Sequence, residues 1–155
     1  LINILIMSAA LIGVAASCQK EDGTSGLIDP AISGEWHLTE ILAEGTVVSE
    51  GLDSYLLINM DGTFELYQKS GTQTIRYDRF TGTCTYEDNL LSGVYSNGNP
   101  WGSRYTVSLS GNMMTLSSFN LLEVQKYERK AIPENIKKEA NTITRSGAVL
   151  CAPIL

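Results

Sequence analysis

The sequence predicts an all-β domain, an antiparallel up-and-down meander closing into an eight-stranded barrel, with a short C-terminal helix and an apolar tail. Three observations predict it. Apolar residues recur with period two, tight-turn residues punctuate them at short intervals, and no crossover helix separates the runs. Thr, Tyr, Val, Leu and Ile supply the strand positions, which pleated, half-buried surfaces favour.

The folded region is expected from Ile32. Between Ser33 and Leu42, Trp36, Leu38 and Leu42 share one parity, as in a half-buried strand. A polar passage then leads to Tyr55–Met60 and Thr63–Tyr67, which flank Asp61-Gly62. Asp-Gly is a strong signal for a two-residue type I′ hairpin, whose central residues take positive φ. Arg76 to Glu87 puts Phe80, Gly82, Cys84 and Tyr86 on one face. Asp88-Asn89 turns the chain into Leu90–Tyr95, and Asn97-Gly98 turns it again. Tyr105, Val107 and Leu109 align on the next strand. Gly111-Asn112 leads into Met113–Ser117, and Glu123–Arg129 is the last strand. Such a sheet removes its exposed edges by closing.

Ile132–Ala140 reads as a short helix, with Pro133 suited to its start and Glu134 to the positive end of its dipole. Residues 148–155 are apolar for a terminus. They are expected to pack on the barrel, as an added strand or across an open end.

Ahead of the domain, Leu1 to Ala16 holds no charged residue and runs into Ser17-Cys18. A membrane span needs roughly 20 apolar residues, so a secretory signal with a small-residue exit fits this run better. The segment resembles a bacterial lipoprotein signal, with Cys18 as the lipobox cysteine that becomes acylated. Ala15 stands where a lipobox prefers Leu. An ordinary cleaved signal and an anchor helix are the alternatives. Gln19, Lys20, Glu21 and Asp22 resemble the acidic export signal of surface-exposed lipoproteins of the Bacteroidota. Read without that resemblance they are a solvated tether, a composition that Gly23–Gly26 shares. The expected divisions are a signal over 1–17, acylated Cys18 with a flexible acidic tether over 18–31, a barrel over 32–131, and helix and tail over 132–155. The implied location is the outer membrane, at the cell surface or on the periplasmic face.

The formal net charge of −6 argues against nucleic acid, whose phosphates call for clustered Lys and Arg. It also argues against a peripheral helix held by anionic headgroups. There are three cysteines. With Cys18 spent on lipid, Cys84 and Cys151 remain, and an oxidising compartment would permit a bridge worth ~4 kcal/mol. Two separate buried thiols are the other reading.

Catalysis needs a base, a nucleophile or a metal set within reach of one another. The single histidine, His37, lies on the strand face opposite Trp36 and is expected to point to solvent. No Cys-x-x-Cys spacing supports zinc, and Asn59, Asp61 and Gly62 lack the spacing of a calcium loop. Glu87, Asp88 and Asn89 read as turn residues. No Gly-x-Ser-x-Gly elbow is present. Neither an enzyme, a metal nor a cofactor is expected.

Gly34-Glu35-Trp36 matches the Gly-x-Trp of the first lipocalin strand. Asp61-Gly62-Thr63-Phe64, Gly82-Thr83-Cys84-Thr85-Tyr86 and Leu91-Ser92-Gly93 extend the likeness. On these residues the chain resembles a lipocalin-like domain lipoprotein of the Bacteroidota. The resemblance implies that Trp36 closes the narrow end of the barrel, with an arginine packed over it, for which Arg129 is the nearest. The barrel segment and the helix are both shorter than in typical lipocalins, which points to short loops and a small cavity.

Eight strands leave either a filled core or room for one small ligand. Trp36, Phe64, Leu66, Phe80, Tyr86, Tyr105, Val107, Leu109 and Met114 are the expected lining. Tyr95, Asn97 and Trp101 could meet a glycan or a protein at the rim, unless Trp101 folds back over the barrel as tryptophans commonly do. The function expected is a membrane-anchored lipoprotein that binds a small apolar ligand. An interaction module, or a structural envelope protein with a filled core, is the alternative.

Overall fold

The computed structural model describes residues 27–71, 75–119 and 122–143. Cys18, Gln19 to Asp22, Cys151 and the apolar tail lie outside the described residues. The strands are β1 (Gly34–Ala43), β2 (Thr46–Val47), β3 (Leu52–Ile58), β4 (Thr63–Ser70) and β5 (Asp78–Glu87). They continue as β6 (Leu90–Tyr95), β7 (Tyr105–Ser110), β8 (Met113–Ser118) and β9 (Glu123–Arg129). Helix α1 (Glu134–Glu139) and the short β10 (Asn141–Thr142) follow.

Eight of these strands form the expected antiparallel barrel in the order β1-β3-β4-β5-β6-β7-β8-β9, closed where β9 pairs with β1. Strand β2 folds back on the end of β1. Strand β6 covers β5 only from Gly82 to Glu87, and β10 joins the uncovered part in parallel at Asp78 and Arg79. The C-terminal segment thereby pairs an edge that would otherwise be open.

Three local expectations are corrected, and the Asp88-Asn89 turn is found as expected. A β-bulge between Leu38 and Glu40 shifts the parity of β1, so Ile41, not Leu42, turns into the core. The β3–β4 turn is longer than a type I′ pair: Gly62 takes positive φ, and Asp61 instead accepts hydrogen bonds from the Thr63 amide and hydroxyl. Asp88 and Asn89 both take positive φ and form the two-residue turn. The packed region also begins earlier than Ile32, because Ile28 is buried and its amide donates to the Met60 carbonyl.

Helix α1 is six residues long, with Pro133 just before it. It covers the outer face of β3 and β4, where Ile132 and Ile136 pack with Tyr55 and Tyr67. Glu35 holds it there, accepting from the Ile132 amide at 2.8 Å and pairing with Lys137 at 2.6 Å.

The β6–β7 connection curls back into the barrel. Trp101 lies flat against Gly93, where an added Cβ would sit 2.3 Å from the indole, and its amide donates to the Gly93 carbonyl. Gly93→Ala is therefore expected to destabilise the fold by about 1–3 kcal/mol through overpacking. Urea unfolding followed by tryptophan fluorescence checks this; the native emission should also shift red as Trp101 is displaced.

Candidate functional site

One end of the barrel is sealed. Trp36 is fully buried there, and its indole Nε1 donates to the Ile32 carbonyl at 2.9 Å. The Arg129 guanidinium lies 4.1 Å from the Trp36 ring centroid, as the family resemblance implies. Its Nη1 and Nη2 donate to the Ser33 and Ala31 carbonyls, both at 2.8 Å. Gly34 permits this closure: its φ is +118°, and a Cβ would lie 2.6 Å from Arg129 Nη1. Around Trp36 the inward positions are apolar, with Leu56, Ile58, Phe64, Leu66, Leu91 and Met114 all buried.

Farther from Trp36 the inward positions turn polar. Along β9, Tyr127, Gln125 and Glu123 are buried on one face. The Tyr127 hydroxyl donates to Gln125 Oε1 at 2.8 Å, and Gln125 Nε2 donates to Glu123 Oε1 at 2.5 Å. Burial drives the Tyr127 pKa well above the usual phenol value, reinforced by neighbouring Tyr105, Glu123 and Tyr95. Across the barrel, Ser54 on β3 and Gln68 on β4 are register partners and are 0% and 4% exposed. Among the described residues, Ser54 Oγ, Gln68 Nε2 and Trp101 Nε1 have no hydrogen-bond partner. Each such buried group costs about 1–3 kcal/mol if it stays unmet.

The end opposite Trp36 carries the β1–β2 and β8–β9 connections, joined by a 2.8 Å bond from the Glu44 amide to the Leu122 carbonyl. Between them lies a depression of about 630 Å³, lined by Glu44, Gly45, Ser117, Ser118, Leu122, Glu123 and Val124. Apolar side chains stand exposed at this mouth, among them Leu122, Phe119 and Val47.

Of the lining expected from sequence, Trp36, Phe64, Leu66, Phe80, Tyr105, Val107 and Met114 are buried in the core. Tyr86 packs only partly against it, and its hydroxyl donates to Asn89 Oδ1 at 3.1 Å. Leu109 is a correction. It is 39% exposed, because β7 overhangs the core before its last turn, although Met114 opposite it is buried. The candidate rim contacts do not form a rim, and Trp101 takes the alternative position, folded back over the barrel. Tyr95 and Trp101 are 5% exposed, and the Trp101 ring lies 5.0 Å from Phe64, so neither faces outward. Asn97 serves its own turn, with Oδ1 accepting from the Asn99 amide. Sequence reasoning missed Ser54, Gln68, Glu123 and Gln125. Their signal was available: Ser54 and Gln68 interrupt the apolar inward parity of β3 and β4, and Glu123 and Gln125 alternate at the inward parity of β9.

The family model of the lipocalin-like domain matches residues 32–116. No curated protein matches this chain. Among solved structures it is similar to lipoprotein YedD from Klebsiella pneumoniae, at 16% identity over 76% of this chain and 88% of that one, with a TM-score of 0.47. It is also similar to a mutant of the fluorescent protein UnaG, at 13% identity over 66% of this chain and 98% of that one, with a TM-score of 0.39.

On the outer surface, His37 does face away from Trp36, but it is engaged rather than free. Nε2 lies 2.9 Å from Asp53 Oδ1, Nδ1 lies 3.4 Å from Glu128 Oε1, and Tyr55 stacks at 4.5 Å. The Tyr77 hydroxyl also donates to Asp53. Cys84 is a buried thiol whose pKa is pushed up to about 12, mainly by burial. Burial alone would raise the Asp53 pKa, yet hydrogen bonds from Tyr77 and His37 outweigh it and hold the pKa below the usual value. A carboxylate lowered in this way contributes stability above about pH 4, and that contribution is lost as pH falls through the folded value. Asp53→Asn should therefore lower stability at neutral pH and make its decline below about pH 4 shallower. Urea unfolding at a series of pH values reads both effects.

Proposed function

Because the chain belongs to the lipocalin-like domain family, we propose that it is a lipid-tethered binding protein holding one small, mainly apolar ligand in the barrel half away from Trp36. The observation that carries this is the division of the interior. Around Trp36 the core is apolar and buried. Toward the mouth it holds a buried hydrogen-bonded ladder of Tyr127, Gln125 and Glu123, and polar atoms of Ser54 and Gln68 that no group among the described residues meets. Stability alone gives no reason to keep such atoms in a barrel core, since apolar residues of like shape would serve better. A ligand with a mostly apolar body and a polar end would meet both kinds of lining.

Binding, rather than catalysis, is the role proposed. His37 is turned outward and occupied by Asp53 and Glu128. Among the described residues, no group of three or more His, Cys, Asp or Glu is arranged to hold a metal ion. The tether reading rests on the lipobox-like run ending at Cys18, and the surface reading on Gln19 to Asp22, which resemble a Bacteroidota export signal. The described chain joins the barrel at the Trp36 end, through Ile28 against the β3–β4 turn. A lipid on Cys18 would thus tether the domain from its sealed end.

Two experiments test the reading. Native mass spectrometry of protein exported and purified without detergent should reveal a reproducible small-molecule adduct that is lost on denaturation. A bare mass, with no thermal shift from a panel of apolar compounds, would reject ligand binding. Cys18→Ala should move the protein from the membrane fraction to the soluble fraction; retention in the membrane would overturn the lipid tether.

A further inference from the structure

The chemistry of the unpaired atoms narrows the ligand. Ser54 and Gln68 face each other across β3 and β4, so their Cβ atoms lie about 5 Å apart. The adjoining inward register pair, Leu56 with Leu66, is apolar and buried. Two polar side chains thus interrupt the apolar wall, with partly buried Asp78 of β5 beside Gln68 in register. The unmet atom of Gln68 is Nε2, an amide donor, and the unmet atom of Ser54 is Oγ, a hydroxyl that can donate. The patch therefore offers hydrogen atoms and asks for acceptor oxygens.

Charge decides which acceptor. Among the described residues, Glu123 is the charged side chain buried in this interior. One of its oxygens accepts from Gln125, and no buried Lys or Arg accompanies it among those residues. The basic residue at an inward position, Arg129, is committed at the Trp36 end. An anionic head entering this space would lose its hydration and meet Glu123 rather than a cation. A cationic head would offer only donors and would leave Gln68 Nε2, which can only donate, unmet.

Resting on the ligand-binding reading above, we propose that Ser54 and Gln68 recognise the polar end of a neutral amphiphile carrying a carbonyl oxygen, as in an amide, ester or ketone. The apolar body lies on the mouth side of the Leu56 and Leu66 pair, which bounds the filled core. Specificity then resides in two side chains that carry no charge.

A set of probes with a common alkyl chain tests this: dodecanamide, dodecanoate, dodecylamine and dodecane. Binding is read by tryptophan fluorescence on the soluble Cys18→Ala chain, so that no detergent competes. Dodecanamide should bind at least tenfold more tightly than dodecanoate or dodecylamine. Ser54→Ala and Gln68→Leu should each weaken dodecanamide binding about fivefold to tenfold and leave dodecane unchanged. Both variants delete an unpaired buried group, so each is expected to melt no lower than the parent, and loss of affinity will not reflect loss of fold. Equal affinity for all four probes, tightest binding of dodecanoate, or variants without effect on dodecanamide would overturn the head-group assignment while leaving ligand binding intact. Failure of every probe to bind would overturn ligand binding itself.

Discussion

Closure of β1 on β9 is the constraint from which the rest of this structure follows. The two strands are about ninety residues apart in sequence, as the hydrogen bond from Thr39 Oγ1 to the Lys126 carbonyl illustrates with a separation of 87. Until they pair, the meander is a ribbon with two open edges and an apolar face still exposed to water. Once they pair, every inward side chain loses water together. Arg129 fastens one end of this seam by stacking on Trp36 and bonding to two carbonyls of the incoming chain. The bulge after Leu38 adjusts the seam partway along, turning Ile41 inward and letting β1 bend with the wall. Such long-range pairing is costly in loop entropy before it is rewarded, so this seam should form late in folding.

Within the closed barrel, two demands compete for the same space. Packing favours a continuous apolar core, and the half around Trp36 meets that demand. Recognition requires polar groups that remain available, and the half toward the mouth carries them. Trp101 stands between the two. Arriving from the β6–β7 connection, it fills the space over Gly93 and packs edge-on against Phe64 and Tyr105. A connection that in a larger barrel could stay outside is used here as part of the core, which lets a short chain fill its interior.

Much of the architecture was legible in the sequence because alternation and turn chemistry are local. Phe80, Gly82, Cys84 and Tyr86 share a parity on the page and share the inner face of β5. The failures are local information overruled by geometry at a distance. A bulge has no compositional signature in Trp36-His37-Leu38-Thr39-Glu40-Ile41, yet it reverses which of Ile41 and Leu42 is inside. Parity identifies Leu109 as inward but cannot locate the level at which the barrel ends. Trp101 is expected to fold back over the barrel because tryptophan is usually buried, but only Gly93, eight positions earlier, makes the space that admits it. The inward polar residues escaped notice for another reason. A search for apolar stripes passes over a Ser or Gln that interrupts one, although the interruption is what distinguishes a lined site from a core.

The described fold begins and finishes at opposite ends of the barrel. Ile28 is bonded beneath the β3–β4 turn, whereas β10 lies beside the first residues of β5, at the level where the mouth begins. The two termini of the domain are thus separated by a strand length, on the order of 20 Å once tilt is allowed for. For anyone building with this domain, the two attachment points are unequal. A reporter joined ahead of Leu27 would hang under the sealed end and leave the mouth clear. One joined directly after Ile143 would sit at the level of the mouth. A circular permutant would need a linker of roughly six or more extended residues along the outside of the wall.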